Sequence, residues 1–299
     1  MDWRLTGAIQ KALGYVPGGR RIHERLHRRA IDFGQECDVE VDEWRRLTAQ
    51  LRTCGVSITG ATLVEIGAGR APTLPLCFYL AGAGRVYALD DERRIEDELV
   101  CDLADRLMIH VTAIAAAAGR PEAETSAMQR AVASSLARGA SLAVATGTVV
   151  DYRGPADPTA TALPAGSIDI VFSSSVLEHL PPATIERVFS EALRILRPGG
   201  VMIHAVHCGD HYAAGDGRID SLRYMKFSDD EWARWNTPFL YQNRLRAKDF
   251  ADRARAAGFS IELEAVQGRG TVNGVHARFS GYTREELAIT ELHFVARKA

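Results

Sequence analysis

Four of the nine histidines fall between residues 179 and 211: His179, His204, His207 and His211. Imidazole titrates near neutrality, so it is the natural group to take a proton from a reacting hydroxyl. His204 lies inside the apolar run Val201–Val206 and reads as a packed core residue. His207 and His211 stand at the mouth of that run and in the next loop, and they are the candidate general bases. His179 follows a second apolar run and reads as the start of a helix. His207, Asp210 and His211 also offer nitrogen and oxygen donors, but their spacing is not that of a compact zinc motif, so no metal is assigned. A second group of chemistry-bearing residues lies upstream: Glu65, Gly67, Ala68, Gly69, Asp90 and Asp91. Glycines let a ligand approach the backbone closely, and an acid at a strand end can accept both ribose hydroxyl protons.

The stretch Ala61–Asp90 must position this second group. Thr62, Leu63, Val64 and Ile66 form a short apolar run suited to a strand covered on both faces. Gly67 and Gly69 turn the chain, and Pro72 fits the first turn of a helix carrying Leu74, Leu76, Phe78, Tyr79 and Leu80. Gly82 and Gly84 end that helix before a second strand, Arg85–Leu89, closed by Asp90. Strand, glycine turn, helix, strand and acid together make a nucleoside-binding unit. A dinucleotide fingerprint would place a third glycine at 72, where this chain has proline.

Further along, Val149–Arg153 is a third strand candidate, followed by the loop Gly154–Pro158. Ile168–Phe172 is a buried strand leading into Ser173-Ser174-Ser175-Val176-Leu177-Glu178-His179-Leu180. A helix from Ala183 to Leu196 ends at Arg197-Pro198-Gly199-Gly200, and Val201–Val206 makes a fifth strand. Ser228 and Glu231 form a capping box that starts a helix carrying Trp232 and Trp235. Ala247–Ala257 is another helix, stopped by Gly258, and Ser260–Val266 and Ile289–Ala296 are the last two strands, an antiparallel pair.

The glycine loop, the block GSIDIVFSSSVLEHL and the LRPGG turn followed by a strand resemble, in this order, the class I S-adenosylmethionine-dependent methyltransferase family. The departure is mild: Ala71 stands where a further glycine often sits. The resemblance implies an α/β, Rossmann-like, doubly wound and mostly parallel seven-stranded sheet. It implies S-adenosyl-L-methionine as cofactor, with Glu65, Gly67, Ala68 and Gly69 bordering its methionine part. Asp90, with Asp91 beside it, would take the ribose. Asp157 would take the adenine, Asp151 being the competitor, and Ser173 and Ser174 would lie near the sulfonium. Residues 1–60 are then an N-terminal helical cap and 61–299 the methyltransferase domain, with a helical insertion at about 92–140 and a substrate-side excursion at about 208–246. His179, Tyr212, Tyr241, Asn243 and Arg244 are the candidate acceptor contacts. Tyr224, Trp232 and Trp235 are expected as further aromatic walls, and Arg246 as a further polar contact. Asn243-Arg244-Leu245-Arg246, the DHY turn and Pro17-Gly18-Gly19 resemble methyltransferases of polysaccharide and natural-product pathways, which implies a small-molecule acceptor; O-methylation is the expected reaction, ahead of N- or C-methylation. The alternatives are a methyltransferase-fold cyclase or decarboxylase, or a non-catalytic cofactor-binding subunit.

A net charge of −2 gives no overall footprint for nucleic acid, and the local cluster Arg20, Arg21, Arg25, Arg28 and Arg29 reads as a solvated helix face. Five scattered cysteines without a CxxC pair read as reduced thiols. With no secretory signal and no apolar run of membrane-spanning length, the expectation is a soluble cytoplasmic protein that binds no membrane. A second copy of the chain is the candidate macromolecular partner, the 92–140 insertion serving either as a contact with it or as a lid.

Overall fold

The computed structural model describes residues 3–16, 32–214, 219–237 and 241–299. The Pro17-Gly18-Gly19 turn, the helical spacing of Ile22 and Leu26, and the basic cluster at Arg20–Arg29 lie outside the described residues.

Seven strands form one sheet: β1 (Thr62–Ile66), β2 (Arg85–Leu89), β3 (Val150–Arg153), β4 (Ile168–Ser174), β5 (Leu196–His207), β6 (Phe259–Arg269) and β7 (Ile289–Lys298). Their order is β3-β2-β1-β4-β5-β7-β6. Neighbours from β3 to β5 run parallel, while β7 is antiparallel to both β5 and β6. The order reverses at β1/β4, which is where an open parallel sheet leaves a crevice at its strand ends. The fifth strand is longer than the apolar run suggested. It takes in Leu196–Gly200, because Leu196 pairs with Ile168 across an irregularity in the register.

Alternation within each strand feeds two cores. Leu63, Val86, Val150, Ile170, Phe172 and Ile203 point to one face. There they meet the long helix Phe33–Thr53 (through Trp44, Leu47 and Leu51), the helix Thr73–Leu80, and the helices that follow β2. Val64, Ile66, Val171, Met202 and Phe294 point to the other face, against the helices Pro182–Ile195 and Ala247–Ala256. Both faces are covered, which is why the strands read as continuous apolar runs.

The long N-terminal helix starts at Asp32, whose carboxylate accepts from Gly34 N at 2.9 Å. Its apolar side is part of the first core. The 92–140 segment divides into Asp97–Arg106, a short turn Leu107–His110, Val111–Ala118 and Glu122–Ala137. Its stripe Leu103, Leu107, Ile114, Val132 and Leu136 is buried in the same core of its own chain. A third, smaller cluster holds the segment after β5 together. Tyr212, Leu222, Tyr224, Met225 and Trp232 pack there with Phe279 and Leu287. The Ser228–Glu231 capping box is present at the start of Asp229–Ala233. No helix among the described residues is long and apolar enough to cross a membrane.

Candidate active site

The glycine turn sits at the carboxyl end of β1. Gly67 and Ala68 both donate to Leu89 O, at 2.8 and 3.0 Å, which pulls the turn over the end of β2. Gly67 has φ +81 and Gly69 φ +66, conformations that suit glycine. A Cβ on Gly67 would lie 2.5 Å from Val176 Cγ2, so the turn touches the segment that leaves β4. A Cβ on Gly69 would meet nothing within 4 Å, so this side of the turn is open. Tyr152, which the sequence did not single out, donates its hydroxyl to Gly69 O at 2.9 Å and steadies the turn from β3.

Asp90 is buried beneath this opening. Its carboxylate accepts from Gly69 N at 2.8 Å, from Glu92 N at 3.3 Å and from Arg94 Nε at 2.8 Å. Asp91 is exposed and pairs with Arg94 at 2.8 Å. Glu65, 4% exposed, has an oxygen with no hydrogen-bond partner. Burial drives its pKa well above the usual carboxylate range, and the negative charges of Glu40 and Asp90 push it the same way. Glu40 comes from the long N-terminal helix and is itself pushed up to about 7, chiefly by burial. The sequence could not join Glu40 to Glu65, because the helix meets the strand only through tertiary packing. Three acids thus crowd one end of the turn, and the charges acting on Glu65 are all negative. Such a recess suits a positively charged ligand, and the sulfonium and ammonium of S-adenosyl-L-methionine are of that kind.

Several expected contacts are spent elsewhere. Ser173 is fully buried and its hydroxyl bonds His204 Nδ1 at 2.7 Å, so it faces the core; Ser174, the next residue, is half-buried. His204 packs between Phe189 and Phe294, and burial lowers its pKa to about 3, in keeping with a core residue. Asp157 is exposed and closes an Asx turn on Thr159 N and Oγ1, at 2.8 and 2.7 Å. Asp151, its competitor, pairs with Arg85 and Arg153.

On the acceptor side, Arg244 is 3% exposed and donates to Tyr224 O, Phe227 O, Ser228 O and Asp229. It holds the excursion together, so the expectation that it meets a substrate is corrected. Tyr212 is buried with its hydroxyl on Trp235 O at 2.9 Å, and Trp232 donates to Gln242 O at 3.2 Å. Tyr224 is fully buried on Cys208 O. These aromatic rings are the core of the excursion and do not wall a pocket. Asn243 binds Leu177 O and Leu180 O, both at 2.8 Å, and pins the β4 exit loop. Arg246, also expected as a polar contact, is fully buried and caps Cys208 O and Leu287 O at 2.6 and 2.8 Å. Asp210 is bound by Arg223 at 2.8 Å, which removes it from the His207–Asp210–His211 donor set.

Three imidazoles nevertheless converge beyond β4 and β5. His179 and His211 rings are 4.6 Å apart, and His207 and His211 rings 5.0 Å. His179 Nδ1 lies 2.8 Å from Tyr241 O; a carbonyl only accepts, so Nδ1 carries the proton and Nε2 keeps its lone pair. Tyr241 is half-buried and meets His179 through its backbone. Burial lowers the pKa of all three imidazoles, that of His211 to about 3 with the other two rings adding to the effect, so each is neutral at physiological pH. For His207 the charge of Glu291 works against this lowering.

Residues 122–204 match the family described as methyltransferase domain, from the helix before β3 into β5. Solved structures with the same fold include a geranyl diphosphate methyltransferase in complex with GPP and sinefungin, at 13% identity and TM-score 0.50, over 87% of this chain and 79% of that one. An S-adenosylmethionine-dependent methyltransferase from Mesorhizobium loti aligns at 17% identity and TM-score 0.46, over 84% and 96%. The (4+2)-cyclase SpnF aligns at 17% identity and TM-score 0.47, over 85% and 81%. No protein of curated function matches the sequence. The methyltransferase-domain match over residues 122–204, with the strand order and the glycine turn over Asp90, agrees with the fold of class I S-adenosylmethionine-dependent methyltransferases, enzymes whose cofactor is S-adenosyl-L-methionine.

Proposed function

We propose that the chain transfers a methyl group to a hydroxyl oxygen of a small-molecule acceptor, of the natural-product or saccharide kind. The observation that carries this reading is the acid-lined glycine turn, whose Gly67 lies against Val176 in the same β4 exit segment that carries His179 to the group of imidazoles. Bound at the turn, S-adenosyl-L-methionine supplies an electrophilic methyl on a sulfonium. Glu65 and Asp90 hold the cofactor's charged and ribose parts, with Gly67, Ala68 and Gly69 giving close backbone approach. His207 is the proton acceptor, since it is neutral and has Glu291 near it to stabilise the imidazolium once formed. With the cofactor held there, an acceptor hydroxyl would attack that methyl as the carbon–sulfur pair returned to sulfur, and His207 would take the hydroxyl proton. Holding oxygen, carbon and sulfur in line is the largest contribution the site makes.

Calorimetry with S-adenosyl-L-methionine and with its demethylated product tests the first half; binding of neither would overturn it. His207→Ala, assayed at saturating cofactor against a panel of phenolic and polyol acceptors, tests the second. Loss of a proton acceptor lowers turnover by roughly 100-fold or more. Full turnover in the variant would remove His207 from the mechanism.

A further inference from the structure

Glu178 is an unexplained group in this site. It leaves β4 beside His179, is 1% exposed, and has one oxygen without any hydrogen-bond partner. Its other oxygen accepts from His207 N at 3.2 Å and lies 4.0 Å from His211 Nε2. His211 Nε2 is likewise buried without a hydrogen-bond partner. His179 turns its unprotonated Nε2 away from the Tyr241 carbonyl that fixes the ring. Ligand atoms of Glu178, His179 and His211 all lie within 4.8 Å of one another. A buried carboxylate with an empty acceptor position beside lone-pair nitrogens is costly unless a cation completes it.

We propose that Glu178, His179 and His211 form a divalent transition-metal site whose open positions receive the acceptor oxygen. Two imidazoles and one carboxylate are a donor set for manganese, iron, cobalt or zinc, and a poor one for magnesium or calcium, which want oxygen alone. Ligands about 2 Å from an ion stand roughly 3 Å apart, so the cluster closes by about 1 Å or more on binding. The Tyr241 carbonyl on His179 and the His207 N–H on Glu178 supply the outer hydrogen bonds that orient ligands of this kind. An ion here lowers the pKa of a bound hydroxyl, and His207 stands beside it to take the proton.

This proposal rests on the methyl-transfer reading but is separable from it. A second donor cluster, Glu43, Glu291 and His293, joins β7 to the long N-terminal helix, with Glu291 half-buried. There His293 Nε2 lies 3.1 Å from Glu43 and its Nδ1 contacts Gln50 at 3.1 Å, so neighbouring side chains stand against both ring nitrogens.

The experiment is titration of tag-free, chelator-treated protein with Co2+, followed by visible ligand-field absorption and calorimetry. Cofactor binding is measured on the same samples. One Co2+ per chain is expected, weakened at least tenfold in His179→Gln and His211→Gln and unchanged in His276→Ala. Glu178→Gln, the isosteric change, gives the same loss and stands in if a histidine variant fails to fold by circular dichroism. Absence of stoichiometric Co2+ binding in the wild type overturns the metal site. So does binding that survives both histidine variants, or that is lost only in His293→Gln. If Co2+ fails to bind while S-adenosyl-L-methionine binds, the metal site alone falls; if the cofactor does not bind but Co2+ does, the methyl-transfer reading falls.

Discussion

Replacing Gly67 by alanine tests the geometry of the cofactor turn most directly. Two separable costs are expected. A residue with a side chain held at φ +81 is strained by about 1–2 kcal/mol. The new Cβ also meets Val176 Cγ2 at 2.5 Å, well inside contact distance, and overpacking of this sort costs about 1–3 kcal/mol. Gly67→Ala should therefore lower unfolding stability by about 2–4 kcal/mol. Cofactor affinity should fall as well, because Val176 or the turn must shift. The Val176→Ala background separates the costs: there the overlap disappears and only the backbone strain of about 1–2 kcal/mol remains. Urea unfolding of the four proteins in this cycle gives the stability terms, and calorimetry with the demethylated cofactor product gives the binding terms. A loss below about 0.5 kcal/mol for Gly67→Ala would refute the tight contact, as would a coupling of zero between the two positions.

Glu65→Gln should raise stability at neutral pH, since it removes a carboxylate whose folded pKa lies above its unfolded value. Such a group favours folding when protonated and costs stability as pH rises from its unfolded value toward its folded one. The same variant should weaken S-adenosyl-L-methionine by about tenfold while changing its neutral product less; calorimetry with both ligands reads the difference. Glu191 behaves in the opposite sense: hydrogen bonds from Arg194 foremost, and from Thr161, hold its pKa near 2. Its contribution is present above its unfolded value and lost as pH falls from about 4.5 through about 2, so Glu191→Gln should flatten that part of the stability–pH profile. With Arg194 partly exposed the effect is screened to about 1–2 kcal/mol, readable by urea unfolding at pH 7 and pH 3. Arg246→Met should destabilise by about 3–5 kcal/mol, because it strips the Leu287 carbonyl of its buried donor and leaves Cys208 O with the Tyr224 hydroxyl alone; an unchanged melting temperature would contradict that role.

The locally encoded parts of the fold were legible in residue order. The β1–turn–helix–β2 unit is contiguous, and its signals are short-range: an apolar run, two glycines, a proline and a terminal acid. The capping box at Ser228 and Glu231 is equally local, and it is present. Side-chain destinations were a different matter. An aromatic residue reads the same whether it walls a pocket or fills a cluster, and Tyr212, Tyr224 and Trp232 took the second course once Phe279 and Leu287 came against them. Arg244 and Arg246 looked like acceptor contacts, but backbone carbonyls distant in sequence took up their donors.

From residue order alone came the strands, the position of the nucleoside crevice and the candidate histidines, because period, turn chemistry and strand-end acids act between near neighbours. Only the folded chain decided which charges meet. Glu40 reaches Glu65 from a helix before the sheet, and Glu178 meets His211 from a different strand end. Those encounters depend on burial and on elements brought together across the sheet, and the electrostatics of the site follow from them.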